Sequence, residues 1–345
     1  MKGCKFGSHR VIEPKGVLPQ PAWKIDNTME LHDNEILLDV IRLNIDSASF
    51  HQLVEEVGKD EEKVAAKVLS IVNDRGKMHN PVTGSGGMLI AKVAKIGREL
   101  VGKRDLNEGD KIATLVSLSL TPLKINAIKK VHLDQDQIDI EGQAILFESG
   151  VYAKLPDDMT ETLALSILDV AGAPAQVTRL AKKGDIIFII GAGGKSGLLC
   201  TAMARDIIGS DGKIIGLVHS ERSKTAAEKL GMSDALFAAS ATDALAVYNE
   251  LSRLTDGKMA DLVINCVNVP DTEMTSILAA RDRGTVYFFS MATSFTKAAL
   301  GAEGIGHDVD MIIGNGYCKN HAEISLNIVR KYPVLRDIFE KKFSK

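Results

Sequence analysis

The chain has 345 residues, enough for about two domains and a sizeable core. Apolar residues make up 45% and charged residues 25%, as in ordinary globular proteins, and the net charge of -3 gives no pull toward nucleic acid or a membrane surface. Aromatics are scarce, with one tryptophan, which argues against a base-stacking platform, and no apolar run approaches the ~18 residues of a membrane span.

The first residues, MKGCKFGSHR, hold no apolar segment of the signal-peptide kind. The four cysteines (Cys4, Cys200, Cys266 and Cys318) are widely separated and show no CxxC spacing. That pattern predicts reduced thiols in a cytoplasmic protein rather than a structural zinc or a disulfide framework. Residues 1–30 are rich in proline and glycine and read as loop, and 36-ILLDVIRLNI-45 has strand character. The charged stretch 52–76 places Val57, Val64, Val68, Ile71 and Val72 at helical spacing, which predicts one surface helix. Strand-like runs follow at 88–96, 111–120, 127–133 and 143–147, separated by turn signals such as Asn107-Glu108-Gly109-Asp110.

Past 155-LPDDMT-160 the pattern changes. Apolar runs at 186–191, 213–218, 261–267, 285–291 and 309–316 alternate with helical patterns at 197–209, 222–230 and 271–282. Strands buried on both faces are nearly all apolar, so this alternation predicts a doubly wound parallel sheet. The expected division is a β-rich domain over 1–160, a dinucleotide-binding domain over 161–316 and a helical segment over 317–345.

The stretch 185-DIIFIIGAGGKSGLLCTAMAR-205 offers two phosphate-binding readings. A P-loop needs a glycine five residues before Gly194-Lys195-Ser196, and that position is Ile189. The dinucleotide reading fits better: Gly191 for the tight turn, Gly194 for backbone approach to a pyrophosphate, Gly197 for close helix packing. Gly193, Lys195 and Ser196 belong to the same loop, and Val267 and Ser290, late in two following strands, complete the expected contacts. The next strand runs into 216-GLVHSERSK-224, with no acid where ribose hydroxyls are usually held and with Glu221 slightly late. Ser220, Arg222 and Lys224 could hold a 2′-phosphate instead, so the cofactor is NAD or NADP with a lean to NADP.

Several segments resemble the medium-chain dehydrogenase/reductase superfamily: 35-EILLDVIRLNID-46, 106-LNEGDKIA-113, 142-GQAILFESGVYAKLPDDM-159 and 171-AGAPAQVTRLAKKGDIIFIIGAGGKSG-197. The resemblance implies a GroES-like β-rich catalytic domain, a Rossmann domain and a nicotinamide cofactor. Where many members hold a catalytic zinc, this chain has Asp46, 86-GGM-88 and the neighbourhood of Ala171, so no metal is expected. The runs 3-GCKFGSHRVIEPKGVLPQPAWKIDN-27 and 79-HNPVTGSGGML-89 resemble a zinc-independent branch that deaminates a diamino acid oxidatively. Its substrate would carry a carboxylate and two ammonium groups, calling for an Arg or Lys, for carboxylates and for a general base.

His51 and Glu13 are the candidate catalytic residues, and Arg10, His9, Asp46 and Thr83 the candidate substrate ligands; His79 opens the HNP turn and reads equally as a turn residue. The expected partner is that small substrate and a second copy of the chain, as homodimer or larger homo-oligomer, with neither nucleic acid nor membrane. A zinc-free quinone or enoyl reductase, and a nucleotide-binding protein without turnover, are the competing readings.

Overall fold

The computed structural model describes residues 1–290, 292–314 and 316–343. The chain divides into two units, Met1–Asp158 and Met159–Lys345. In the first, a 3-10 turn at Ser8–Arg10 leads into β1 (Val11–Glu13) and β2 (Lys24–Ile25), a two-stranded antiparallel ribbon. Then come β3 (Glu35–Asn44), α1 (Ser47–Val57), α2 (Glu61–Arg75), β4 (Met88–Ile96), β5 (Lys111–Thr114), β6 (Leu123–His132), β7 (Gln137–Phe147) and β8 (Tyr152–Lys154). These strands pair antiparallel in the order β6-β7-β3-β4-β5-β8.

Ile36, Leu38, Val40 and Leu43 of β3 enter the core, where Val64, Val68, Ile71 and Val72 of α2 meet them. Each such buried side chain contributes about 1.5–3 kcal/mol. The single helix expected over 52–76 is two helices. The chain breaks at Gly58, whose φ is 86°, and Asp60 restarts it by accepting from the N–H groups of Glu62 and Lys63. The strand expected over 111–120 stops at Thr114. Ser117 Oγ accepts from the Ser119 N–H, and Thr121 Oγ1 donates to the Ser117 carbonyl; these local bonds compete with the ladder.

The second unit holds α3 (Glu161–Leu168), α4 (Gly172–Leu180), β9 (Ile186–Ile190), α5 (Lys195–Ile208), β10 (Lys213–Val218), α6 (Glu221–Leu230), β11 (Ala235–Ala238), α7 (Ala244–Leu254) and β12 (Ala260–Asn265). It continues with α8 (Glu273–Ala279), β13 (Ala280–Phe288), α9 (Phe295–Ile305), β14 (Asp310–Ile313), α10 (His321–Lys331) and α11 (Pro333–Phe343). All strands run parallel in the order β11-β10-β9-β12-β13-β14, the Rossmann order counted from β9. The order reverses between β9 and its two neighbours, which places a ligand crevice beyond the carboxyl end of β9.

The helix expected over 271–282 ends at Ala279, and β13 begins at once. The strands expected over 285–291 and 309–316 end at Phe288 and Ile313; Met291 and Asn315 lie outside the described residues. β11 is short and only partly buried, so its composition does not mark it as a strand. No helix among the described residues is long and apolar enough to cross a membrane.

Candidate active site

The glycine turn stands where β9 meets α5. Gly191 has φ 86°, and its N–H and that of Ala192 both donate to the Leu217 carbonyl at 3.0 Å. A Cβ on Gly193 would stand 2.0 Å from the Ser223 carbonyl oxygen, and one on Gly197 2.1 Å from the Gly191 carbonyl oxygen. Those glycines are needed for packing. Gly194 is not: its φ of -84° suits any residue, and its Cβ would meet nothing nearer than 3.5 Å. The space beside it is therefore open to a ligand. Gly194 is the N-cap of α5 and supplies no capping side chain, so the first-turn N–H groups are open to an anion. These residues fit a dinucleotide pyrophosphate.

Lys195 is drawn to Asp169 by a 2.6 Å ion pair, and Ser196 lies in the first turn of α5. Val267 lines the turn, since a Cβ on Gly191 would come within 2.6 Å of its Cγ1. Ser290 Oγ accepts from the Ala292 N–H at 3.1 Å. Ser220 caps α6 in a reciprocal box with Ser223, so its hydroxyl is engaged in holding the helix start. Lys224 lies 3.9 Å from Glu228 along its own helix. Arg222 is exposed and has neither hydrogen bond nor ion pair among the described residues.

In the first unit, α1 and the 79–87 loop bring several hydroxyls to one carboxylate. Asp46 caps α1 through the Ala48 N–H and accepts from Ser85 Oγ at 2.8 Å. Ser85 Oγ lies 2.7 Å from the buried Ser49 Oγ, which lies 2.5 Å from Thr83 Oγ1. A continuous chain thus runs Thr83–Ser49–Ser85–Asp46, in which each hydroxyl can donate once and accept once. Asn80 holds the loop by donating to the Ser49 carbonyl and accepting from the Val82 N–H. His51 is exposed, and among the described residues its Nδ1 reaches only Ser47 Oγ, at 3.4 Å. Glu13 is exposed on β1, away from this chain in the ribbon. Asp46 and Thr83 are thus brought together, while Glu13 is not among them. Ser49 and Ser85 were not singled out by the sequence, although Ser85 lies in the run 79–89 that carries the resemblance.

Arg10 and His9 need correction as substrate ligands. Arg10 is 1% exposed, and all five of its N–H groups are engaged: Nε and Nη2 on the Glu35 carboxylate at 2.6 and 2.7 Å, the rest on the carbonyls of Asp26, Thr28 and Glu30. Nothing is left for a substrate carboxylate. His9 Nδ1 accepts from the Cys4 N–H and Nε2 donates to Glu35, which fixes the neutral tautomer; burial, the largest influence, lowers its pKa. Burial alone would raise the Glu35 pKa, yet Arg10, the His32 N–H and His9 together hold it down at about 2.

His9, His32 and Glu35 bring ligand atoms within 4.8 Å of one another, but a guanidinium already covers both Glu35 oxygens, so a cation would have to displace Arg10. Nor do the residues at the superfamily's zinc position fit a metal: the Asp46 carboxylate is spent on the helix cap and Ser85. Lys77, fully buried, donates to the Pro19 and Gln20 carbonyls, and burial pulls its pKa down to about 7. His79 is lowered to about 4 by burial, then by Lys77 and Arg75, and is neutral near pH 7.

Residues 9–156 match the family model described as the L-erythro-3,5-diaminohexanoate dehydrogenase N-terminal domain, and residues 197–307 match that described as zinc-binding dehydrogenase. The L-erythro-3,5-diaminohexanoate dehydrogenase of Acetoanaerobium sticklandii is 60% identical over 343 residues, 99% of this chain and 100% of the relative. That of Fusobacterium nucleatum subsp. nucleatum is 57% identical over 340 residues, 99% of each chain. Among solved structures, a mycobacterial quinone oxidoreductase superposes with TM-score 0.56 at 15% identity, over 92% of this chain and 91% of that one. An alcohol dehydrogenase of Thermotoga maritima gives TM-score 0.56 at 14%, over 90% and 86%. These two likenesses carry the fold alone, a GroES-like unit with a Rossmann unit. With identity this high over full length, the chain belongs to the L-erythro-3,5-diaminohexanoate dehydrogenase family of medium-chain oxidoreductases.

Proposed function

We propose that the chain oxidises L-erythro-3,5-diaminohexanoate at C3 with NAD or NADP, releasing 5-amino-3-oxohexanoate, ammonia and reduced cofactor. What carries this reading is the 60% and 57% identity to relatives of that name over nearly their whole length. The open glycine turn supports a dinucleotide in the second unit, and the hydroxyl chain supports substrate chemistry in the first. An absorbance assay for reduced cofactor with this substrate is the test; no turnover with either cofactor would remove the reading.

When bound, the nicotinamide ring accepts the hydride that leaves C3. Before that, the C3 ammonium must lose a proton, because a nitrogen without a lone pair cannot form the C=N bond. Thr83 is the exposed end of the hydroxyl chain and Asp46 its basic end. A proton taken at Thr83 Oγ1 is matched by one passed from Thr83 to Ser49, one from Ser49 to Ser85 and one from Ser85 to the Asp46 carboxylate. Water then adds to the imine carbon and ammonia departs.

Asp46→Asn separates charge from structure, because asparagine caps a helix about as well as aspartate. The variant is expected to keep its melting temperature and to lose kcat by about a hundredfold or more, the usual scale for a lost general base. Turnover near wild type would take Asp46 out of the reaction.

The enzyme is also expected to work without zinc, since the position that would hold it offers one engaged aspartate. Elemental analysis after dialysis should find no stoichiometric zinc, with activity unchanged by a chelator. One tightly held zinc per chain that turnover needs would contradict this.

A further inference from the structure

We infer that Arg75, in the last turn of α2, holds the carboxylate of the substrate beside the Thr83–Asp46 hydroxyl chain. This rests on the proposed reaction, whose diamino acid brings one carboxylate that calls for a cation. The first unit has five arginines, and four of them are committed elsewhere. Arg10 and Arg42 grip Glu35 and Asp139, Arg98 pairs with Asp33, and Arg104 places Nη1 and Nη2 on the Glu148 and Gly150 carbonyls. Arg75 differs. It is 5% exposed, yet its Nη1 alone is bonded, to the His79 carbonyl at 2.9 Å. Among the described residues its Nε and Nη2 have no partner, and neither is sealed from solvent. These two nitrogens form one edge of the guanidinium, the edge that takes a carboxylate through two parallel hydrogen bonds.

The guanidinium is held in place. Its carbon lies 3.8 Å from the centroid of the Trp23 ring, which covers one face and leaves the edges clear. No carboxylate among the described residues pairs with it; Asp74, the preceding residue, acts on it only through its charge. Lys77, fully buried, has no acid partner among the described residues either, and Arg75 adds to the burial that pulls its pKa down to about 7. A buried cation without a counter-ion is unfavourable, and a carboxylate bound here would relieve it. The position suits the reaction. The His79 carbonyl that Arg75 holds opens the loop that carries Thr83, and the next residue, Asn80, accepts from the Thr83 N–H at 3.3 Å. In the substrate one methylene separates the carboxylate carbon from C3, so the carboxylate and the C3 amine must be received close together.

The test is steady-state kinetics of the full chain with 3,5-diaminohexanoate and with 2,4-diaminopentane, which ends in a methyl group where the substrate carries its CH2–COO− arm. The diamine is read as an alternative substrate or as an inhibitor. Arg75→Met keeps the aliphatic stem against Trp23 and removes the fork. It is expected to raise KM for the diamino acid by about tenfold to a hundredfold, the scale of one lost charge-assisted contact, with kcat held. Binding of 2,4-diaminopentane should not change, so the preference for the diamino acid should shrink by the same factor. Arg75→Lys should fall between wild type and Arg75→Met, because the ammonium keeps the charge without the fork. Equal losses for acid and diamine, a fall in kcat at unchanged KM, or no loss at all would overturn the assignment and leave Arg75 a support of α2 and its loop. Should a thermal melt show Arg75→Met unfolded, Arg75→Lys decides by the same comparison: a weaker acid and an unchanged diamine support the assignment, and both or neither weakened overturns it. A wild type that does not turn over 3,5-diaminohexanoate with either cofactor would instead sink the reaction beneath it.

Discussion

Gly194→Val is expected to weaken cofactor binding by about a hundredfold or more, equivalent to roughly 3 kcal/mol, while the fold survives. The reason lies in which glycines the protein itself requires. At Gly197 a Cβ would collide with the Gly191 carbonyl oxygen at 2.1 Å, so substitution there damages the turn itself. At Gly194 the backbone is extended, φ -84° and ψ 173°, which valine adopts readily, and the nearest neighbour to a new Cβ is 3.5 Å away. The added methyls would instead enter the space in front of the α5 N-terminus, where N–H groups would meet a pyrophosphate. Each charge-assisted hydrogen bond of that kind is worth about 1.5–3 kcal/mol, so displacing the ligand from two of them accounts for the loss. Circular dichroism and a thermal melt check the fold, and cofactor fluorescence checks binding. Wild-type affinity in a folded variant would show that the ligand does not approach this glycine.

Glu35→Ala is expected to cost about 3–5 kcal/mol of stability, the usual penalty for leaving a buried charge without its partner. Arg10 and Glu35 are each 1% exposed and joined by two hydrogen bonds, so the deletion strands a guanidinium in the interior. Glu35→Gln should cost less, because the amide oxygen still accepts from Arg10. The same pair gives the stability a pH dependence. The Glu35 carboxyl titrates at about 2 in the folded chain against an ordinary value near 4.5, so it binds fewer protons folded than unfolded. Its contribution is present above about pH 4.5 and is lost as pH falls toward 2, about 3 kcal/mol in all. Urea unfolding at pH 7 and pH 3 measures this: the gap between wild type and Glu35→Gln should narrow at the lower pH. A gap that does not change with pH would mean that the carboxylate charge contributes nothing.

His9 and Arg10 take part in this same pair, which explains much of the distinctive N-terminal run. Its residues hold the Glu35 network together: Cys4 donates to His9, and His9 and Arg10 close on Glu35. From the sequence alone they read as substrate ligands, because two polar residues in a conspicuous run suggest chemistry. Only burial and the full set of hydrogen bonds show that the guanidinium has no donor to spare.

What the sequence determined by itself is what depends on neighbours close along the chain. The apolar strands of the parallel sheet, the apolar face of α2 and the glycine turn between β9 and α5 all follow from residues within about two turns of each other. The elements the sequence missed or merged, α1 with α2 and the end of β5, turned on one glycine at positive φ and on local hydroxyl bonds. Tertiary structure alone decided which polar groups meet. Arg10 finds Glu35 25 residues away, Ser85 finds Asp46 39 residues away, and Lys342 finds Gly193 149 residues away. No spacing rule spans such separations, because the chain that joins the partners is free in length while the geometry of each contact is set by packing.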